Sequence, residues 1–451
     1  MMMADYEYLQ QRLRLRVELM EKRLEGVSEL ILAPKSADLK RIRVNCRQCK
    51  VSKVTVNGID ARFEHHDFLS EIVQESYRDW NSFDLFYRGA IVASKEGTLV
   101  IDLPQGLDIV DKKATSTANT ATDDDETDEE KESVVWDVDT LPPSPTDYAP
   151  LCVRIEYMVT NPRGGVRFML PDELNPNRIP HMYTYCGPFG GLCDGARTWM
   201  PCRDSLKDTC TFRIELVVPA SCVAVCSGRL VGQSLDAQKI YRSFRFVVNA
   251  KTSCSLIGFA VGPFRMHVAE NMPRVTHFCA PDYLTDLTTS TEYKDPHILP
   301  FFETYLNARY PFETYAQIFV EDPPEECQYF AGLSILDQRV LYGQTIIDRQ
   351  LPSQVIQVKG FVGSWIAGAI GIQTTKDAWV LVGVVGHLVN MYVRAVFGEE
   401  EYGYRIQLAM DALTTMELVA DGNGSPHLIY GDVDVYGEYD PFYMPFLEAK
   451  A

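Results

Sequence analysis

Positive charge is in short supply: 43 Lys and Arg stand against 62 Asp and Glu, a net −19. A chain with that balance does not coat nucleic-acid phosphates through bulk charge, so any such contact has to be local. Motifs for several chemistries are missing as well. No G-x-x-x-x-G-K-[ST], no G-x-G-x-x-G on a strand-to-helix turn and no G-x-S-x-G occurs, which leaves nucleotide cradling and serine hydrolysis without residues. The opening MMMADYEYLQ has no basic segment followed by an apolar run, so no secretory signal is visible and an intracellular protein is expected. The uncharged stretch Gly360 to Thr375 is 16 residues long and falls short of the roughly 20 apolar residues a bilayer requires. It reads as a buried helix and its exit.

Cysteine is not scarce, with 12 copies, but C-x-x-C spacing occurs once, at Cys46 and Cys49. A structural zinc site needs a second pair of soft ligands, and neither Cys186 with Cys193 nor Cys222 with Cys226 has that spacing. Cys202 and Cys210 leave a cluster in three dimensions open; free buried thiols are the expectation.

What is present is 46% hydrophobic and 23% charged over 451 residues, enough for two to four globular domains. The first hundred residues alternate. Leu13, Leu15, Val17 and Leu19 fall on one face and Arg12, Arg14, Arg16 and Glu18 on the other, which predicts a half-buried strand. Gly26 predicts a turn before a second strand at Val27 to Leu32. Lys40 to Asn45 and Lys53 to Val56, the latter stopped by Asn57-Gly58, read as hairpin strands. Strands resume at Leu151 to Thr160, Val166 to Leu170, Thr211 to Pro219 and Arg242 to Asn249. Between them, residues 108–140 carry twelve acids and three lysines, a net −9, and are expected to form a solvated, disordered insertion. After about residue 275 the texture changes. Ile298 to Ala308, Ser353 to Ile370 and Asp377 to Phe397 predict helices, with a strand at Ala316 to Val320. The fold class expected is multidomain β plus α/β: a β-sandwich over 1–275 and a second domain over 276–451.

The run Ala196-Arg197-Thr198-Trp199-Met200-Pro201-Cys202-Arg203-Asp204, with Thr211-Phe212-Arg213-Ile214 after it and Gly262-Pro263-Phe264 further on, resembles the A-R-x-x-x-P-x-x-D signature of gluzincin aminopeptidases, the aminopeptidase N family. The resemblance implies an aminopeptidase-type N-terminal sandwich followed by a thermolysin-like domain. In that family a G-A-M-E-N strand binds the substrate amine through its Glu. The stretch here is Ala331-Gly332-Leu333-Ser334-Ile335, with Ser334 in place of the carboxylate. H-E-x-x-H follows on a helix, where two His four residues apart bind zinc and the Glu polarises water. The matching segment is Lys359-Gly360-Phe361-Val362-Gly363, ahead of Ser364-Trp365. The third ligand, the Glu of W-x-x-E-G, is replaced by Val382 in Trp379-Val380-Leu381-Val382-Gly383. A protonated lysine, a side-chain-less glycine and a valine supply no zinc site, and without zinc there is no activated water. The expectation is therefore a pseudo-aminopeptidase with no cofactor. The family's transition-state tyrosine falls near Tyr439 or Tyr443.

A zinc-less branch fits this pattern: the chain resembles the family of the second-numbered TBP-associated factor of general transcription factor TFIID. Ala331-Gly332-Leu333-Ser334-Ile335 matches its A-x-x-S-I. Pro162 to Pro171, Arg274 to Cys279, Arg309-Tyr310-Pro311-Phe312 and Asp377 to Leu381 agree in order and spacing. That resemblance implies a nuclear, non-catalytic scaffold that binds other TFIID subunits, notably the eighth TBP-associated factor and indirectly TBP, and that supports engagement of core-promoter DNA around the initiator. It also implies a longer protein, so the peptidase-like domain is expected to be incomplete at its C-terminus. The alternatives are a zinc-dependent aminopeptidase with displaced ligands and a cytoplasmic peptide-binding pseudo-peptidase.

The remaining singular residues carry less. His65 and His66, adjacent on a strand, point to opposite faces and do not share an ion. His387 has no second ligand at helical spacing, and Lys359 reads as an exposed head at a former cleft. Positive charge concentrates only at Arg12, Arg14 and Arg16 and at Lys40, Arg41, Arg43, Arg47, Lys50 and Lys53, the latter a candidate for weak DNA contact.

Overall fold

The computed structural model describes residues 5–67, 97–107, 109, 145–186, 195–205, 207–268, 272–291, 297–370 and 377–419. The acidic segment 108–140, apart from Ile109, lies outside the described residues, as do Cys193, Tyr439 and Tyr443.

The chain opens with β1 (Tyr6–Glu18), β2 (Arg23–Pro34), β3 (Arg41–Val44), β4 (Lys50–Val56), β5 (Ile59–Asp60), β6 (Phe63–His65) and β7 (Leu99–Asp102). Next come β8 (Leu151–Thr160), β9 (Val166–Met169), β10 (His181–Thr184), β11 (Thr209–Pro219), β12 (Val223–Cys226), β13 (Arg229–Leu235) and β14 (Tyr241–Ser253). The second half holds β15 (Phe259–Gly262), β16 (Arg265–Val268), β17 (Val275–Cys279), β18 (Tyr315–Val320), β19 (Cys327–Phe330) and β20 (Leu333–Asp337). Its helices are α1 (Leu284–Thr291), α2 (Ile298–Tyr305), α3 (Gln350–Ala369), α4 (Ala378–Phe397) and α5 (Glu399–Val419).

The alternation in β1 does what period two predicts. Leu13, Leu15, Val17 and Leu19 are buried, while Arg12, Arg14 and Arg16 reach the exposed face. That face belongs to an eight-stranded sheet ordered β13, β14, β11, β1, β2, β8, β4, β5. The turn between β1 and β2 is not at Gly26, which lies inside β2 opposite Tyr157. It falls at residues 19–22, where Lys22 takes a left-handed φ of 49° and its N–H donates to Leu19 O. Asn57 and Gly58 form the expected tight turn, with Val56 paired to Ile59. What sequence alternation could not show is that β1 pairs in parallel with β11, Leu13 against Ile214, across some 200 residues of chain.

The buried face of this sheet packs on two smaller sheets, β3-β7-β6 and β12-β15-β10-β9. One apolar cluster joins Leu15, Leu30, Val153 and Phe212 of the large sheet to Ile42 and Ile101 of one small sheet and Val261 and Phe259 of the other. Each such side chain contributes ~1.5–3 kcal/mol when fully removed from water. Trp199 fills the space between them and packs edge-on against Phe259, ring centroids 5.1 Å apart. The buried Arg197–Asp204 ion pair, 2.8 Å, ties together the ends of the run on which the aminopeptidase resemblance rests.

A fourth, five-stranded sheet is ordered β16, β17, β18, β20, β19, with β17, β18 and β20 parallel and both edges antiparallel. It already takes in Arg265–Val268. Helix α3 lies on β19 and β20, α4 packs on α3, and α5 on α4. The helix at Ile298 extends to Tyr305, and those at residues 350–369 and 378–397 stand where apolar length predicts them. In α4, Leu381, Val385, Leu388, Val389, Tyr392 and Val393 recur at helical spacing and are buried, with Tyr392 stacked on Phe302. Among the described residues one helix, Trp379–Phe397, is long and apolar enough by length and composition to cross a membrane. Helices α1 and α5 have no counterpart in the sequence reading. Thr288, Thr289 and Thr291 in α1 turn their hydroxyls back onto carbonyls four residues earlier, and α5 carries no continuous apolar stripe to announce it.

Candidate functional site

The five positions where the sequence departs from peptidase chemistry do not stay apart: three of them meet at the contact between α3 and the five-stranded sheet. In-register pairing sets a row of side chains across that sheet: His267, His277, Gln317, Ser334 and Tyr329. In-register neighbours share a face, and this one meets α3. Ser334, on the inner strand β20, is fully buried. Its Oγ accepts a hydrogen bond from the Tyr315 hydroxyl at 2.8 Å. That hydroxyl accepts from Gln317 Nε2 at 3.1 Å, which also donates to Gln357 O on α3 at 3.0 Å. Gln357 Nε2 continues the network to Ser353 Oγ and Ser290 O.

Helix α3 comes this close because small residues face the strands. A Cβ added at Gly360 would lie 2.9 Å from Ser334 Oγ and 3.2 Å from Cys327 Sγ. One added at Gly363 would lie 2.3 Å from the Tyr329 ring. The space a longer side chain would need at either position is therefore already filled, by Ser334 and Cys327 in one case and by the tyrosine of edge strand β19 in the other. Tyr329 is a residue the sequence reading did not single out; its pairing with Ser334 becomes visible only in the register. Ser364, next along α3, donates from Oγ to Phe330 O at 2.7 Å and accepts from Gly332 N–H at 3.1 Å, which pins the β19–β20 turn to the helix. Tyr310 lies against Ser364 Oγ at 2.9 Å, and its ring stacks on Phe361 and meets Trp365 edge-on.

Lys359 is half-buried and has an interaction partner, and Val382 is half-buried on α4 against the main apolar cluster. Electrostatically the contact is dry. Burial pushes the Tyr310 and Tyr315 phenols up and holds the His277 imidazole down, to about 3. A cavity beside this network, between Tyr315, Gln317, Phe361 and Ile298, holds only about 10 Å³, room for a single water molecule at most. A larger one, about 600 Å³, lies at the start of α3 between Asp337, Arg339, Tyr342 and Arg349, away from the five positions. Among the described residues no group of three or more His, Cys, Asp or Glu is placed to hold a metal ion.

The basic residues distribute differently. Arg41 and Arg43 are exposed on β3 of a three-stranded sheet, whereas Lys50 and Lys53 are exposed on β4 near the edge of the eight-stranded one. Arg41 pairs with Asp102 at 2.8 Å and Lys53 with Asp60 at 3.2 Å. Arg47 is half-buried, its N–H donating to Arg197 O, and Lys40 is exposed just before β3. On β1, Arg14 pairs with Glu215 and Arg16 with Glu18. The eleven described cysteines are free thiols, all but Cys152 buried.

No family model matches the chain. Curated relatives do. TFIID subunit 2 of Gallus gallus is 28% identical over 415 residues, 90% of this chain and 32% of that protein. The Danio rerio protein of the same name is 28% identical over 414 residues, and that of Drosophila melanogaster 27% over 395, 85% of this chain. The chain thus spans about a third of the length of the curated relatives it matches. Among solved structures, yeast LTA4 hydrolase with bestatin superimposes with a TM-score of 0.69 over 99% of this chain and 58% of its own, at 15% identity. The native Saccharomyces cerevisiae enzyme gives 0.64 over 91% and 52%, at 14%. That likeness establishes the fold, a mixed β and α architecture of aminopeptidase type. On that fold, and over nine-tenths of its length, the chain is similar to TFIID subunit 2.

Proposed function

We propose that the chain is the peptidase-like part of a non-catalytic scaffold subunit of TFIID, acting in the nucleus in RNA polymerase II transcription initiation. The observation that carries this reading is the closed contact between α3 and the sheet. Where the aminopeptidase resemblance places zinc ligands and a general base, glycines abut Ser334 and the Tyr329 ring, and the similarity to TFIID subunit 2 gives the closed fold a role without turnover. In this reading Ser334, Lys359, Gly360, Gly363 and Val382 are degenerate peptidase positions. The chain divides at about residue 275 into a sandwich and a thermolysin-like domain, which together present a rigid surface. Binding energy then goes into holding partners in register rather than into a transition state.

The partners are other TFIID subunits, the eighth TBP-associated factor foremost, and TBP indirectly. Core-promoter DNA near the initiator is contacted locally, through Lys40, Arg41, Arg43, Arg47, Lys50 and Lys53. Because two of these cations, Arg41 and Lys53, already have acidic neighbours, the DNA term is small and shared with other subunits. Co-expression with the eighth TBP-associated factor followed by size-exclusion chromatography tests the reading: a stable co-eluting complex supports it. Stoichiometric zinc with hydrolysis of aminoacyl substrates would return the protein to the peptidases, and peptide affinity without turnover or complex formation would favour a cytoplasmic peptide-binding role.

A further inference from the structure

On the eight-stranded sheet Arg14 has Glu215 beside it and Arg154 has Glu29, but two exposed cations at one end of that sheet, Lys22 and Arg163, have no ion pair among the described residues. They sit where β1 turns into β2 and where β8 leads into β9. The two loops lie side by side: Arg23 is in register with Thr160, and Asn161 N–H donates to Lys22 O at 2.9 Å. Lys22 and Asn161 both take a left-handed φ of 49°. The stretch from Pro162 to Gly165 is held from several directions. Arg163 N–H donates to Gln48 Oε1 at 2.9 Å, Gln48 Nε2 donates to Gly164 O at 2.8 Å, and Tyr185 N–H donates to Gly165 O at 3.0 Å. Gly165 has a φ of 72°, and a Cβ there would overlap Thr198 Oγ1, so the loop is pressed against that residue.

Lys22 and Arg163 line a cavity of about 280 Å³. Phe168 and Tyr185, both half-buried, give it aromatic walls, and Pro324 from the loop between β18 and β19 closes one side. Arg167 adds a third cation, which Asp322 already engages: Nη1 donates to Asp322 O at 2.7 Å and Nη2 to its carboxylate. Among the described residues no carboxylate lines the cavity. Two positive charges therefore stand uncompensated over a concave, partly aromatic surface, on backbone whose conformation is already fixed.

We propose that this cavity receives a phosphorylated serine or threonine carried on an extended segment of a partner protein. Charge decides between anions. A phosphomonoester carries about −1.5 to −2 near neutral pH, which matches the two uncompensated cations, whereas a carboxylate leaves one of them unmet. Arg163 offers a planar fork of N–H donors to two phosphate oxygens, and Lys22 adds a point charge. Size decides the form of the ligand. The cavity falls below the roughly 300–1,000 Å³ of pockets that enclose free small molecules, so it takes one side chain while the segment runs past, its neighbouring residues packed on Phe168, Tyr185 and Pro324. A DNA duplex is the poorer fit. Its phosphates are diesters with one charge each on a convex backbone, and the chain's net −19 opposes a long polyanion. Because the two loops are locked beforehand, binding has little protein backbone to order.

The test uses the full chain and two fluorescein-labelled pools of degenerate peptides, identical except that the fixed central residue is phosphoserine in one and serine in the other. Fluorescence anisotropy at about 0.15 M salt reads binding. The phosphoserine pool is expected to bind about tenfold or more tightly than the serine pool. Lys22→Glu and Arg163→Glu change exposed side chains that make no ion pair, so the circular-dichroism spectrum stays native while each variant loses about tenfold or more in affinity for the phosphoserine pool. Lys251→Glu, which reverses an exposed cation outside the cavity, leaves that affinity within about twofold. Equal binding of the two pools, or undiminished binding of the phosphoserine pool by Lys22→Glu and Arg163→Glu, would overturn the assignment. So would a duplex DNA whose affinity falls in these two variants while that of the phosphoserine pool does not, since the cavity would then be a nucleic-acid contact.

Discussion

If the contact between α3 and β19 is closed by the Tyr329 ring, then adding a single methyl group at Gly363 has a sign that can be worked out beforehand. Alanine in place of a helix-interior glycine ordinarily stabilises by about 1 kcal/mol. At Gly363 the new Cβ would sit 2.3 Å from the ring, and Tyr329 is buried at 6% exposed with its in-register neighbour Ser334 fully so. Overpacking of that kind costs ~1–3 kcal/mol, which outweighs the propensity gain and leaves Gly363→Ala less stable by ~1–2 kcal/mol. Removing the ring reverses the sign. In a Tyr329→Leu background the same Gly363→Ala change is expected to stabilise by a few tenths to ~1 kcal/mol, giving a coupling of ~2 kcal/mol in the double-mutant cycle. Urea unfolding followed by tryptophan fluorescence reads the four proteins. If Gly363→Ala is as stable as the parent with Tyr329 in place, the ring does not close the site, and the case for a filled metal position fails.

Two further predictions concern buried polar groups. His277 lies on β17, the second strand of the five-stranded sheet, between His267 and Gln317, with burial holding its pKa to about 3. The unfolded chain takes up a proton near pH 6.5, so the stability present above that pH is lost as pH falls toward 3, at up to ~1.4 kcal/mol per unit from this residue. Chemical denaturation of the parent and His277→Gln between pH 7 and 5 should give converging stabilities, and parallel curves would contradict it. The Arg197–Asp204 pair has side chains only 7% and 3% exposed, so Asp204→Asn, which removes one charge from a buried pair, is expected to cost ~3–5 kcal/mol. A calorimetric melting temperature within a degree of the parent would argue that the pair is not sealed.

Much of the fold was legible because local patterns decided it. Period two in β1, the Asn57-Gly58 turn, and apolar length in α3 and α4 are properties of a few consecutive residues, and the structure has them where the sequence places them. Gly26 misled because a glycine inside a strand and a glycine at a turn look alike until the partner, Tyr157, is known. The parallel pairing of β1 with β11 and the closing of α3 by Tyr329 depend on register between distant segments, which no single-sequence periodicity records. The site positions could be named from motif order alone. Their physical state, glycines against filled space, required the neighbouring strands.

The central reading is that this fold assembles rather than cleaves, and affinity purification tests it most directly. A tagged chain is isolated from nuclear extract at moderate salt, and its companions are identified by mass spectrometry. The account predicts TBP together with several TBP-associated factors, the eighth among them, in amounts that follow the tagged chain through a second column. Recovery of the chain free of those factors, with stoichiometric zinc bound, would contradict it.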